Sequence, residues 1–326
     1  MVLPARFPLC ILPTPIGTLS RVSSDYGTEI FIKRDDLTGF AGNGNKGRKL
    51  EYLISQIVSN KIDTVVSSGA TQSNFLRQLG AACAVAGIRC VAATMHAPYE
   101  EADRKATGVL TQGGNPMLDS IFGIERTLFP DGSWAELDAH AEDLAARERA
   151  KGAKVQVIPL GGSGPMGVLA FYRAAEELGN QVDQPFGTII CPSSSGSTHI
   201  GLASFFAGSS TKVIGIGCDP EPEMLDDLVS LSRSFADAYG LAPALEASEI
   251  DLRLDYVGPG YGVPSEAGTE ALNYLARREG ILLDPIYSAK TFAAMLDLLK
   301  KRELTGRVLF WHTGGMPALF AQAERS

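Results

Sequence analysis

Two spacings of apolar residues alternate along the chain. Short runs rich in β-branched and aromatic residues read as buried strands at 29–33, 64–66, 89–93, 127–129, 154–159, 188–190, 213–217, 254–257 and 307–311. Between them, apolar residues recur at helical spacing. After Lys46 they fall at Leu50, Leu53, Ile54, Ile57 and Val58, that is i, i+3, i+4, i+7 and i+8. The same reasoning predicts helices at 75–86, within 100–125, at 135–151, 167–178, after 198, and at 222–239, 265–278 and 288–301. Gly87, Gly152 and Gly240 stand where three of them should stop. The alternation is steady from about residue 60 onward. It predicts an α/β protein with parallel-rich sheets flanked by helices on both faces.

The 326 residues suggest about two domains. A net charge of -8, with no long basic run, argues against non-specific nucleic-acid binding. No apolar run reaches the length of a membrane span, and Pro4, Pro8, Pro13 and Pro15 break any secretory leader. The cysteines at 10, 83, 90, 191 and 218 are odd in number and form no C-x-x-C pair. That pattern fits a reducing, cytoplasmic compartment. The histidines at 96, 140, 199 and 312 lie in no metal-site motif, so no metal is expected.

Glycine- and serine-rich loops mostly follow strands and precede helices, where α/β proteins bind ligands. Three carry candidate chemistry. Residues 42–53 read G-N-G-N-K-G-R-K-L-E-Y-L, placing Lys46 between a tight turn and an amphipathic helix. Desolvation there lowers a lysine's pKa and makes its amine a nucleophile, although a helix-start lysine can equally sit on a solvated face. Ser193-Ser194-Ser195-Gly196-Ser197-Thr198 opens a helix with small residues and hydroxyls, a cup suited to a phosphate. Gly69-Ala70-Thr71-Gln72-Ser73-Asn74 offers neutral donors that suit a carboxylate, or a plain helix cap by Ser73 or Asn74. A reactive lysine, a phosphate cup and a carboxylate loop together point to pyridoxal phosphate acting on an amino acid.

The motifs G-N-K-G-R-K-L-E-Y-L, G-A-T-Q-S-N, G-S-T-H-I-G-L, G-Y-G-V-P, L-L-D-P-I-Y-S-A-K and H-T-G-G-M-P-A-L-F follow one another in this order. The chain resembles the aminocyclopropane-carboxylate deaminase / D-cysteine desulfhydrase family of fold-type II pyridoxal phosphate enzymes, from about Leu12 to Phe320. The resemblance implies a two-domain tryptophan-synthase-β-like fold. Residues 1–48 and 159–326 would form a large cofactor-binding domain and 49–158 a small one. It implies that Lys46 holds the cofactor as a Schiff base and that Asn74 meets the ring hydroxyl. Ser195, Gly196, Ser197 and Thr198 would hold the phosphate. Ser73 would act in catalysis with Lys46, Tyr261 and Tyr287, and Gln72, Ser73 and Asn74 would bind substrate.

Ser288 resembles the position facing the pyridine nitrogen. A carboxylate there keeps the ring protonated, as cyclopropane opening requires, whereas a hydroxyl suffices for β-elimination. With Thr313 it places the chain nearer the desulfhydrase branch. The implied activity is β-elimination from D-cysteine or a similar β-substituted amino acid to pyruvate, sulfide and ammonia. L-Cysteate sulfo-lyase and aminocyclopropane-carboxylate deaminase are the alternatives, and a non-enzymatic relic comes last. A homodimer without membrane or nucleic-acid partners is expected. Two positions depart from the family: Phe75 stands where the desulfhydrases carry histidine, and Asn43 stands where a glycine is usual.

Overall fold

The computed structural model describes residues 3–96, 113–221, 223–304 and 306–321. The chain begins with strand β1 (Ile16–Thr18), helix α1 (Ser20–Tyr26) and strand β2 (Ile30–Arg34), then passes through the glycine turn into α2 (Lys46–Ser59). There follow β3 (Thr64–Ala70), α3 (Asn74–Ala86), β4 (Arg89–Met95), α4 (Gly114–Ile121), β5 (Glu125–Leu128), α5 (Trp134–Ala150) and β6 (Val155–Ile158). Next come α6 (Pro165–Gly179), β7 (Thr188–Ser193), α7 (Ser197–Phe206), β8 (Lys212–Gly217), α8 (Met224–Tyr239) and β9 (Asp251–Arg253). Helices α9 (Glu266–Glu279) and α10 (Ser288–Lys300) and strand β10 (Val308–His312) complete the order.

Among the described residues, two sheets form, in the orders β1-β2-β10-β7-β8-β9 and β5-β4-β3-β6. Every neighbouring pair is parallel except β1 with β2. The first sheet takes strands from both ends of the chain and the second from its middle. Period-two alternation sends successive side chains to opposite faces. In β10, Val308 and Phe310 enter one apolar cluster with α9 and α10, while Leu309 and Trp311 enter another with α6 and α7. In the second sheet, Val65 packs with α2 and α3, and Val66 packs with α5. Both sheets are therefore covered on both faces, as continuous apolar strand runs require.

Helix α2 links the sheets, and buried charges fix its position. Arg48 pairs with Asp35 at 2.8 Å and with Glu177 of α6 at 2.9 Å, and Lys33 of β2 pairs with Glu177 at 2.6 Å. The Trp311 indole N–H donates to Asp35 at 3.0 Å. Desolvation offsets most of the Coulomb gain of such pairs, so their main effect is to admit one register of α2 against β2, β10 and α6.

Most elements sit within a few residues of their predicted bounds. Two expectations differ. The strand expected at 254–257 is a turn, and the chain pairs with β8 through Asp251–Arg253 instead. An edge strand of three residues carrying an Arg253–Asp251 ion pair offers no apolar pattern to read. The helix expected within 100–125 is found as α4, while 97–112 lie outside the described residues. No helix among the described residues is long and apolar enough to cross a membrane.

Candidate active site

A cavity of about 520 Å3 opens where the parallel strands of both sheets end. Gly69 and Ala70 reach it from β3, Pro159 from β6, Pro192 and Ser194 from β7, Asp219 from β8 and Thr313 from β10. Carboxyl ends of parallel strands are the expected ligand position in such folds.

Lys46 lies on the cavity wall at the first turn of α2. The turn before it runs through left-handed backbone at Gly42, Asn43 and Gly44 (φ 76°, 71° and 116°). Asparagine tolerates that region better than other side-chain-bearing residues, which explains Asn43 where a glycine is usual. Its Oδ1 also accepts the Gly39 N–H at 2.7 Å. Helix α3 clamps the turn: Arg77 donates to the carbonyls of Ala41 and Asn43, and Gln78 donates to Asn43 and accepts the Gly47 N–H at 2.6 Å. From the other side, Asn45 N–H donates to the Thr313 carbonyl at 3.0 Å. The turn that leads into Lys46 is thus held from two sides. Burial lowers its pKa to about 8, against opposing effects of Cys218 and Asp284. Lys33, Lys49 and Lys290 are also buried, but none of them lines the cavity. The Lys49 Nζ donates to the Gly161 carbonyl at 3.1 Å, and that of Lys290 to the Gly260 carbonyl at 2.8 Å.

Ser195, Gly196, Ser197 and Thr198 line the cavity at the N-terminus of α7. The first N–H groups of a helix have no intrahelical acceptor and carry the positive end of its dipole. Gly196 takes φ 82°, and a Cβ there would meet Leu228 Cδ2 at 2.5 Å. The loop 161–164 backs the cup, with Ser163 Oγ donating to the Ser195 carbonyl and lying 3.3 Å from Ser197 Oγ. Asn45 Nδ2 donates to Thr198 Oγ1 at 3.1 Å, tying the lysine turn to the cup. An amine of lowered pKa and an anion cup on one cavity are the donor set that pyridoxal phosphate needs.

Ser73 and Asn74 line the cavity at the start of α3. Ser73 caps that helix, its Oγ accepting the Leu76 N–H at 3.2 Å, which leaves the hydroxyl proton to donate. Gln72 turns toward α4. It is not on the cavity wall, and its Oε1 accepts the Asn115 N–H of α4 at 3.1 Å. Side-chain direction in a loop depends on what lies behind it, here α4. Phe75 does line the cavity and is otherwise sunk in the cluster of Leu53, Leu76 and Leu79, so an apolar ring replaces a titratable one.

Tyr261 and Tyr287 meet on the cavity wall, Oη to Oη at 2.5 Å. Burial raises both phenols, Tyr287 well above its ordinary value, so both remain protonated donors. Trp134 of α5 stands edge-on to Tyr261 at 5.3 Å and gives its indole N–H to Asp219 at 3.1 Å. Burial raises the Asp219 carboxyl to about 6, against the Trp134 bond that lowers it. Ser288 opens α10. It does not line the cavity, and its Oγ donates to Asp284 Oδ1 at 2.6 Å and accepts the Asp284 N–H at 2.8 Å. Asp284 itself accepts from the N–H groups of Ile286, Tyr287 and Ser288 as well, which commits its carboxylate to the start of α10. On the cavity wall stands Thr313, the residue after β10.

Sequence reasoning missed Asn115, Trp134 and Asp219. Asp219 was findable, because a carboxylate just past a strand's carboxyl end points to a site. Trp134 and Asn115 carry no such signal, since only the packing of α4 and α5 brings them near.

A lysine amine facing a helix-terminal anion cup at the ends of parallel strands defines an α/β enzyme built for pyridoxal phosphate. The family model described as pyridoxal-phosphate dependent enzyme matches residues 8–314, and the chain belongs to that family. It is 37% identical over 337 aligned positions to the D-cysteine desulfhydrases of Salmonella newport (strain SL254) and Salmonella heidelberg (strain SL476), covering 97% of this chain and 96% of each relative. A solved structure of an ACC deaminase homologue superposes with a TM-score of 0.87 at 33% identity, over 97% of this chain and 94% of that one. A solved structure of O-ureido-L-serine synthase shares the fold with a TM-score of 0.63 at 19% identity, over 94% and 90% of the two chains.

Proposed function

We propose that the protein is a pyridoxal phosphate-dependent carbon–sulfur lyase that eliminates sulfide from D-cysteine or a similar β-substituted amino acid. The observation that carries this reading is the Lys46 amine, lowered to about 8 on the wall of a cavity shared with the α7 cup. Lys46 would hold the cofactor covalently and, once released by substrate, take the α-proton as general base. Residues 195–198 would hold the phosphate, and Asn74 the ring hydroxyl. The cofactor supplies the electron sink that stabilises charge at the α-carbon. Ser73 would donate a hydrogen bond from its hydroxyl to the substrate carboxylate. Tyr261 and Tyr287, kept protonated by burial, would offer the substrate the hydroxyl proton that their mutual hydrogen bond does not use, rather than act as bases. Sulfide leaves from the β-carbon, and water completes the conversion to pyruvate and ammonia.

Two features favour this reading over its alternatives. The Asp284 carboxylate is consumed in capping α10, and a hydroxyl residue, Thr313, stands on the cavity wall after β10, which disfavours ring opening of aminocyclopropane-carboxylate. The Asp219 carboxylate on the cavity wall disfavours a sulfonate side chain, as in cysteate. The domain reading, 1–48 with 159–326 against 49–158, follows the division of strands between the sheets. A homodimer is part of the proposal: exposed Met117 and Ile121, four residues apart on α4, would belong to the surface that a second copy covers. A cytoplasmic setting accords with five free cysteines.

The test is direct. Borohydride reduction of the yellow holoenzyme and peptide mapping should place the cofactor on Lys46, and Lys46→Ala should abolish both colour and turnover. A panel of D- and L-cysteine, β-chloroalanine, cysteate and aminocyclopropane-carboxylate, assayed for keto acid, should give pyruvate-forming elimination with D-cysteine. Label on Lys33, Lys49 or Lys290, or turnover of aminocyclopropane-carboxylate alone, would overturn the reading.

A further inference from the structure

Asn115 does not line the cavity, yet it is fully buried behind it. Its Nδ2 donates to the Gln72 carbonyl at 2.6 Å and to Asn74 Oδ1 at 3.0 Å. Its own N–H donates to Gln72 Oε1 at 3.1 Å. A peptide carbonyl only accepts, so the Gln72 bond identifies the NH2 end of the Asn115 amide. The second proton of that NH2 goes to Asn74. The Asn74 atom that receives it must then be the carbonyl oxygen. The NH2 of Asn74 is left at the other end of an amide that lines the cavity. Asn115 Oδ1 is buried with no partner among the described residues, so the side chain is used for its donor end.

We propose that Asn115 is a positioning residue that locks the Asn74 amide so that its NH2, and not its oxygen, meets the ring oxygen of pyridoxal phosphate. The proposal rests on the reading that Asn74 faces that ring oxygen. An N–H donor stabilises the ring oxygen as an anion and lowers its pKa, whereas an amide oxygen would repel it and raise the pKa. Without Asn115, the Asn74 amide is free to present either end. With an acceptor in its place, Asn74 turns its NH2 away from the ring.

The experiment compares Asn115→Asp and Asn115→Leu, both near-isosteric, with Asn74→Ala and the Asn74→Ala/Asn115→Leu pair. Two readouts are taken: the dissociation constant of pyridoxal phosphate from the apoenzyme, and the midpoint of the holoenzyme's visible absorbance against pH. Asn115→Asp should raise the midpoint by about one unit, about a tenfold change in protonation ratio, and should weaken cofactor binding. Asn115→Leu should act in the same direction but less. Adding Asn115→Leu to Asn74→Ala should change the midpoint no further. A purely structural Asn115 would lower thermal stability and leave the midpoint where it was, which would overturn the proposal. A midpoint unmoved by Asn74→Ala would overturn the assignment of Asn74 to the ring, and with it the proposal. A midpoint moved by Asn74→Ala but by neither Asn115 variant would overturn the role of Asn115 alone. If Asn115→Asp fails to fold, Asn115→Leu decides.

Discussion

At the scale of single residues, burial sets the chemistry. Lys46 starts from the ordinary lysine value of 10.5 and reaches about 8 through desolvation. Only the neutral amine attacks an aldehyde. The rate at which apoenzyme captures pyridoxal phosphate should therefore rise with pH and level off just above about 8. Stopped-flow absorbance at a fixed cofactor concentration reads it, and a rise continuing to the ordinary lysine range would mean that the amine is solvated. Asp219 works in the opposite sense. Its carboxyl, raised to about 6, is still mostly ionised at neutral pH. A fixed negative charge on the wall of a low-dielectric cavity repels an anionic side chain. Asp219→Asn should improve binding of cysteate about tenfold relative to alanine, read by the change in cofactor absorbance on titration. Equal gains for both ligands would show that the charge of Asp219 does not reach the side-chain subsite.

At the scale of elements, the starts of α2, α3 and α7 line the cavity. Helix α7 can offer its N-terminus to an anion only because Gly196 adopts φ 82° with Leu228 and Leu231 packed behind it. Gly196→Val would force a Cβ to within 2.5 Å of Leu228 and strain the backbone. Cofactor affinity should fall by at least about tenfold, with a stability loss of about 1–3 kcal/mol. Equilibrium titration of the apoenzyme and a denaturant melt separate the two effects, and unchanged affinity would place the phosphate elsewhere. Helix α2 is held by Arg48 between Asp35 and Glu177. Arg48→Ala leaves these two carboxylates short of their partner, a loss of about 3–5 kcal/mol in unfolding free energy.

At the scale of the whole molecule, that same network gives an acid limit. Burial alone would raise Glu177, but hydrogen bonds and charge from Arg48, and then Lys33, outweigh it and hold the carboxyl at about 2. A depressed folded-state pKa contributes stability that is full above the unfolded value near 4.5 and lost as pH falls through about 2. Removing Arg48 should therefore move the midpoint of acid unfolding upward, as followed by circular dichroism. An unchanged midpoint would mean that other carboxylates govern acid unfolding. Because Glu177 lies on α6, Lys33 on β2 and Arg48 on α2, the network joins elements far apart in the chain around the helix that bears Lys46.

The apolar spacings and loop chemistry determined the α/β class, most element positions and the turn before Lys46. Those are local properties: a period of two or 3.6, a glycine at a positive φ, a lysine at a helix start. The sequence also named Ser73, Asn74, Phe75, Tyr261, Tyr287 and the 195–198 loop, all of which the fold brings to one cavity. What only the tertiary structure decided is which polar groups face the cavity and which face each other. Gln72 turns to α4, and Ser288 turns to Asp284. Trp134 and Asp219 reach the cavity from elements distant in sequence, and Asn115 binds Asn74 from outside its wall. A buried polar side chain must find a hydrogen-bond partner, and that partner is chosen by the packing of whole elements rather than by neighbours along the chain.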